Sequence, residues 1–372
     1  MGEPMNEHAQ RPLRLNWIMA GDGLAGGTKS NRLIAEAMAR RGHDVRMFVP
    51  TKKKKKTGPL ARLRAVLRGG DATAPAAPSD GHLTRGSIPV ERVDAPFVDA
   101  GDVPDADAVL FSWWAVAERV FTWPRDKGVP VHYVRHHELH GGDPDRVRRV
   151  FAHPGPKIAI SNWLVRVMRD EYGHDDVTLV HNGVDRGQFH AAPREKNDPP
   201  VVGFLCGRQK WKGTDTAAEA CRIAQRARPA LRVVSFGSKP WPDDIAAPAH
   251  FSFEHRPPQD RIAEIYRGCD CWIVPSTTEG LGMPGLEAAA CRCPLVITRS
   301  GGPEDYCTEG VNGHVVDVGD ADAMARAVLD VVGADATRWR AMSDASAEIA
   351  RGFDWDESAS VLESALRRVV GG

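Results

Sequence analysis

Residues 13–50 read LRLNWIMAGDGLAGGTKSNRLIAEAMARRGHDVRMFVP. An apolar run from Leu13 to Met19, a glycine-rich turn, a helical pattern from Lys29 to Arg41 and a second apolar run from Asp44 to Val49 make a strand, a helix and a strand in succession. Strands separated in this way pair in parallel, with the helix crossing over one face.

The alternation continues outward from this unit. Further strands are expected at Ala108 to Ser112, Val129 to Val134, Lys157 to Ile160 and Val177 to Val180, with a helix at Ser161 to Tyr172. A polar, proline-bearing stretch from Ala191 to Pro200 then breaks the pattern. It resumes with strands near Val201 to Cys206, Leu231 to Phe236, Cys271 to Pro275, Pro294 to Ile297 and His314 to Val318. The expected organisation is a disordered start (1–12), an N-terminal Rossmann-like domain (13–192), a linker (193–200) and a second Rossmann-like domain (201–352). Residues 353–372 would form a helix packing across both domains through Val361, Leu362, Ala365 and Leu366. The fold class is α/β, with two parallel-sheet domains facing a central cleft.

At 372 residues, with 42% hydrophobic and 26% charged content, the composition is that of an ordinary soluble protein. Forty-nine basic residues balance forty-nine acidic ones, so no global field draws the chain to nucleic acid. No apolar run reaches the roughly 18 residues that span a bilayer, and Met1 to Pro12 is polar, which predicts a cytoplasmic protein. The seven cysteines lie in the second half, with Cys269 and Cys271, and Cys291 and Cys293, in pairs flanking apolar strands. Buried structural thiols fit that placement better than a zinc knuckle.

Gly21, Gly23 and Gly26 form G-x-G-x-x-G between the first strand and the first helix, where backbone amides and a helix start can cradle phosphate. A dinucleotide oxidoreductase would place an acid at the end of the second strand to grip a ribose. That strand instead ends Val49-Pro50-Thr51, and the lysines beyond leave only an NADP-dependent oxidoreductase as the alternative of that class. In the second half, Arg208 and Lys212 follow a strand within Gly207-Arg208-Gln209-Lys210-Trp211-Lys212-Gly213, on the side where α/β sheets bind ligands. Two cations there suit a diphosphate. Farther on, Glu279-Gly280-Leu281-Gly282-Met283-Pro284-Gly285-Leu286-Glu287 places one carboxylate in a glycine-rich loop and the other just inside a helix. Amides of Gly282 and Met283 would face a ligand at that helix start. Cations with carboxylates suit a molecule that offers both phosphate and vicinal hydroxyls, as a sugar nucleotide does.

These motifs, in this order from about Leu13 to the C-terminal helix, resemble glycosyltransferase family 4. Its most specific mark is the E-x7-E pair of Glu279 and Glu287. Arg41-Gly42-His43-Asp44-Val45, Asn182-Gly183-Val184-Asp185 and Ser300-Gly301-Gly302-Pro303-Glu304 support it. The resemblance implies a GT-B fold and a retaining transfer from a nucleotide diphosphate sugar, UDP-linked before GDP-mannose, with no cofactor and no metal. It assigns the ribose to Glu287, the donor sugar to Glu279 and His136, and the diphosphate to Arg208 and Lys212, with Gly26 and Gly27 approaching from the other domain. Arg208 and Lys212 stand four apart where the family has five, which keeps Lys210 as an alternative cation; His137 and His140 are alternatives to His136. The pairs Asp105 and Asp107, and Asp320 and Asp322, read as caps or loops rather than metal ligands. A non-catalytic carbohydrate-binding protein is the third reading. The acceptor is a glycan, a lipid-linked molecule or a small molecule, in cell-envelope polysaccharide, glycolipid or natural-product biosynthesis.

The segment from Lys52 to Arg68 concentrates charge: Lys52, Lys53, Lys54, Lys55, Lys56, Arg62, Arg64 and Arg68 with no acid among them. On a helix Leu60, Leu63, Val66 and Leu67 share one side, the layout of a segment lying in a membrane interface. It predicts docking on an anionic membrane, peripherally on the inner face, to present a lipid-linked acceptor.

Overall fold

The computed structural model describes residues 11–23, 26–52 and 81–371. Within these, thirteen strands form two sheets. The first comprises β1 (Arg14–Ile18), β2 (Asp44–Pro50), β3 (Val90–Val93), β4 (Ala108–Phe111), β5 (Val129–Val134), β6 (Lys157–Ala159) and β7 (Val177–Leu179), in the order β3-β2-β1-β4-β5-β6-β7. The second comprises β8 (Val201–Leu205), β9 (Arg232–Gly237), β10 (Phe251–His255), β11 (Cys271–Val274), β12 (Leu295–Thr298) and β13 (Gly313–Val316), in the order β10-β9-β8-β11-β12-β13. Parallel pairing joins β1 to both β2 and β4, and β8 to both β9 and β11. In each sheet the strand order reverses beside the first strand, at β1/β4 and at β8/β11, where open α/β sheets leave a ligand crevice. The two Rossmann-like parallel-sheet domains expected from the alternation are present.

Two strands escaped the sequence reading, β3 and β10. Both are edge strands with half-exposed residues, Val-Glu-Arg-Val and Phe-Ser-Phe-Glu-His, so neither carries the apolar run of a buried parallel strand. Buried strands were easier to find: β11 and β12 are covered along their whole length.

Two compact units divide the described chain. One takes residues within Met1–Val134, Glu138–Ile158 and Ala359–Gly372; the other takes Arg135–His137 and Ala159–Ser358. In the second unit the helices Thr214–Ala227 and Ala321–Gly333 pack small against large: Ala217, Cys221 and Ala224 face a core that includes Met324, Val328 and Val331, all fully buried. All seven cysteines are buried free thiols, and burial pushes Cys221 up to about 12, so they pack as small apolar groups. The C-terminal helix, Trp355–Gly371, buries Leu362 and Leu366 completely, and its Glu363 pairs with Arg41 at 2.7 Å. Val361, expected on the apolar face, is exposed. It sits one residue, about 100°, off the Leu362 and Leu366 stripe.

No described helix is long and apolar enough to cross a membrane. Of the basic segment only Lys52 is described, its Nζ 2.8 Å from Asp94; Lys53 to Lys56, Arg62, Arg64 and Arg68 lie outside the described residues.

Candidate functional site

Three loops of the second unit carry most of the expected site. The first follows β8. Thr214 Oγ1 accepts from the Gly207 amide at 3.0 Å and donates to the Gly207 carbonyl at 2.8 Å, closing a tight loop. The Lys212 side chain lies across Gly207, where a Cβ would fall 2.5 Å from Lys212 Cγ. Its Nζ stands 4.2 Å from the centre of the Trp211 ring. Arg208 and Lys210 are exposed on the same loop.

The second loop follows β11. Lys212 Nζ donates to Glu279 Oε2 at 2.7 Å, and Ser276 Oγ donates to the same oxygen at 3.0 Å. Burial would raise the Glu279 carboxyl, but the Lys212 charge and hydrogen bond, with lesser help from the Ser276 hydrogen bond, hold it below the ordinary glutamate value. Glu279 is therefore an anion at neutral pH. Its amide donates to the Ser300 carbonyl at 2.9 Å and its carbonyl accepts from Gly302, so its backbone is pinned as well.

Gly282 then turns left-handed, φ +82°, and Met283 and Pro284 open the helix Met283–Ala290. Tyr306 Oη donates to the Gly282 carbonyl at 2.8 Å, and Met283 Sδ lies 3.5 Å from Asn182 Nδ2. Glu287, on the second turn, is buried and accepts from Tyr266 Oη at 3.2 Å. The two glutamates thus differ: Glu279 is a loop anion matched to a lysine, whereas Glu287 is a helix residue touching a phenol.

The third loop is Arg135–His137, just beyond β5. It approaches the second so closely that a Cβ on Gly280 would lie 1.9 Å from the Arg135 carbonyl oxygen. Arg135 itself is buried and donates to Asn182 Oδ1 at 2.7 Å, which ties the loop to the Asn182-Gly183 turn. The His136 ring is 5.4 Å from that of Trp211 and 6.2 Å from that of Trp163. Burial lowers its pKa, against the pull of the Glu279 charge, so the imidazole is neutral at pH 7. His137 points to a different environment, Tyr172 Oη at 2.7 Å, and His140 is exposed.

His136, Lys212 and Glu279 thus stand together, with Arg208 exposed on the Lys212 loop and Glu287 on the helix that follows. Gly26 and Gly27 belong to the first unit, where they open the helix Gly26–Arg40. A Cβ on either would meet no atom of a described residue within 4 Å, so packing does not demand glycine there. The reading missed Trp211, Arg135, Asn182, Ser276 and Tyr266 as neighbours. Trp211 had the clearest signal, an aromatic between two lysines of a ligand-side loop.

Three acids of the two pairs, Asp105, Asp107 and Asp320, are engaged elsewhere, and Asp322 is exposed. Asp107 accepts from Arg11 at 2.9 and 3.1 Å and from Arg14, which hold its carboxyl far below the usual range. Asp105 pairs with Lys127 at 2.9 Å, and Asp320 caps the helix Ala321–Gly333 through the Ala323 amide.

Known proteins similar to this chain share parts of it. The family described as Glycosyl transferases group 1 matches residues 185–346, which contain the β8 and β11 loops and both glutamates. Among curated proteins, the D-inositol 3-phosphate glycosyltransferase of Segniliparus rotundus is 28% identical over 295 residues, 70% of this chain and 64% of its own length. That of Corynebacterium glutamicum is 31% identical over 206 residues, 51% of this chain and 49% of its own. The chain therefore spans less than two thirds of the length of either relative. Among solved structures, HepE of Anabaena in complex with UDP and glucose superposes with a TM-score of 0.70 at 17% identity, over 96% of this chain and 100% of that one. Sucrose-phosphate synthase of Thermosynechococcus elongatus does so at 0.69 and 16%, over 96% and 99%. The two Rossmann-like parallel-sheet domains have the GT-B fold of these structures.

Proposed function

We propose that this chain is a retaining glycosyltransferase that moves a hexose-type sugar from a nucleotide diphosphate donor, UDP-linked in preference to GDP-linked, onto a hydroxyl acceptor without a metal ion. The observation that carries the reading is the contact of Lys212 with Glu279, both inside the segment 185–346 similar to known glycosyltransferases, beside a neutral His136.

Breaking the anomeric bond leaves positive character on the sugar and new negative charge on the departing nucleotide, and fixed charges that meet this development lower the barrier. Arg208 and Lys212 answer the diphosphate. Glu279, held ionised in a buried place by Lys212 and Ser276, is a ready acceptor for sugar hydroxyls. His136, uncharged, offers a hydrogen-bonding face to the transferred sugar without adding a cation beside the developing one. Glu287, with one oxygen on Tyr266, takes the ribose hydroxyls. Retention follows if the acceptor attacks from the leaving-group side, as the resemblance implies. The engagement of Asp105, Asp107 and Asp320 by other residues supports metal independence.

A panel of nucleotide sugars tests the proposal. A ligand that binds only the folded chain raises its melting temperature, by an amount that grows with concentration over Kd. A UDP-sugar is expected to give the largest shift, undiminished by EDTA. A panel in which no nucleotide sugar stabilises the protein would remove the reading, and a shift restored only by manganese would return the acidic pairs to the site.

A further inference from the structure

Trp211 carries no part of the chemistry above, yet it joins all three loops of the site, which lie together in the second unit. It is the middle residue of a single 3-10 turn, Lys210–Lys212, which ends on Gly213 in the left-handed region, φ +62°. A Cβ on Gly213 would fall 2.0 Å from the Pro275 carbonyl oxygen, so this turn is pressed against the end of β11. The Trp211 carbonyl accepts from the Thr277 amide at 2.8 Å, which fixes its backbone to the second loop. Its half-buried indole faces His136 of the third loop, with the ring centres 5.4 Å apart at 58°.

Lys212 follows Trp211 in the chain, and neighbouring side chains on a 3-10 turn diverge by about 120°. Here they converge. The Lys212 stem runs over Gly207, where a Cβ would lie 2.5 Å from Lys212 Cγ, and the ammonium returns to 4.2 Å from the centre of the Trp211 ring. The same ammonium donates to Glu279 at 2.7 Å. A lysine stem carries much rotamer entropy, and a single ion pair at its tip holds it weakly. An aromatic face beneath the charge adds a second electrostatic hold.

Both ring nitrogens of His136 are buried. Trp211 at 5.4 Å and Trp163 at 6.2 Å supply the aromatic part of that cover. Burial is the largest influence on the imidazole and lowers its pKa. The Glu279 charge and hydrogen bonds with the backbone of His137 and Thr278 pull it upward, and the Lys212 charge pushes it down.

We propose that Trp211 is a positioning residue with two tasks: its indole face holds the Lys212 ammonium at Glu279, and its bulk keeps water from the His136 ring. What the positioned groups then do rests on the transferase reading, since an aimed cation meets the departing diphosphate and a neutral imidazole meets the sugar. The positioning itself is a property of the protein without substrate, so it is tested apart from that reading.

Three variants of the full chain separate the tasks. Trp211→Phe keeps a ring face, Trp211→Leu keeps bulk without one, and Trp211→Ala keeps neither. A double-mutant cycle in denaturant, pairing each with Lys212→Met, reads the hold on the lysine. With Trp211→Leu the two losses should be non-additive by about two- to fivefold in the unfolding equilibrium constant, the size of one such contact. With Trp211→Phe they should be nearly additive, because the ring face remains. Magnetic resonance titration of the His136 imidazole, assigned against His136→Gln, reads the second task. Its pKa should rise towards the ordinary 6.5 in Trp211→Ala and stay low in Trp211→Leu and Trp211→Phe. The Leu and Phe variants keep most of the bulk, so the cycle stands even where Trp211→Ala does not fold. Additive losses with Trp211→Leu, or a His136 titration unmoved in a folded Trp211→Ala, would overturn the proposal. With UDP as the ligand probe, Trp211→Leu should weaken binding about threefold and Trp211→Phe restore it. If the two substrate-free results hold while the chain binds neither UDP nor any nucleotide sugar, the transferase reading alone falls.

Discussion

At the scale of single residues, Lys212 and Glu279 hold one another at 2.7 Å, so the loss of either changes the other. Lys212→Ala removes a cation assigned to the departing diphosphate and also the charge that keeps Glu279 ionised against burial. Lys212→Ala and Arg208→Ala are each expected to lower kcat/KM by about 10²–10³, the range for removing one charge-stabilising group. The two should differ in pH dependence. Only Lys212→Ala moves the acid limb upward, because Glu279 then titrates higher, whereas Arg208 makes no contact with Glu279 on which such a shift would rest. Glu287→Ala is expected to raise the donor Kd about tenfold with a smaller effect on kcat, read by titration of the nucleotide alone. Near wild-type values for all three variants would overturn the site.

At the scale of elements, the site depends on the backbone of Arg135–His137 approaching the Glu279-Gly280 turn. Gly280→Ala would thrust a methyl to 1.9 Å from the Arg135 carbonyl, and backbone on both sides leaves no flexible atom to yield. A loss of about 1–3 kcal/mol is expected, as for other overpacked positions. Gly268→Ala, where a Cβ meets nothing within 4 Å, is the matched control and should leave the melting temperature nearly unchanged. Equal melting of the two variants would show that this approach is not tight in solution. Helix ends were the part of this scale most open to the eye. Ser161 caps Asn162–Tyr172, Asp320 caps Ala321–Gly333 and Pro284 opens Met283–Ala290, each from a local preference that needs no tertiary partner.

At the scale of the whole molecule, two buried groups of the first unit set opposing slopes of stability against pH. Burial raises the Glu138 carboxyl to about 8, from 4.5 when unfolded, although it accepts from the Trp114 amide at 2.8 Å. Its contribution is complete below the unfolded value and is lost as pH rises towards about 8. Burial lowers Lys157 from 10.5 to about 8, with its Nζ on the His153 and Gly155 carbonyls. Its contribution is complete above the unfolded value and is lost as pH falls through about 8. Stability of this unit should therefore pass through a minimum near pH 8 in denaturant titrations. Glu138→Gln, which keeps an acceptor for Trp114, should flatten the acid side of that minimum; an unchanged slope would refute the assignment. The sequence by itself determined the two parallel-sheet domains, most strand positions and the loops at the carboxyl ends of β8 and β11, because apolar periodicity and helix punctuation are local signals. Tertiary structure alone decided the edge strands β3 and β10, the contact of Lys212 with Glu279 across 67 positions and the closeness of Arg135 to Gly280. Each of these joins groups far apart in the chain, and only packing brings them within reach of one another.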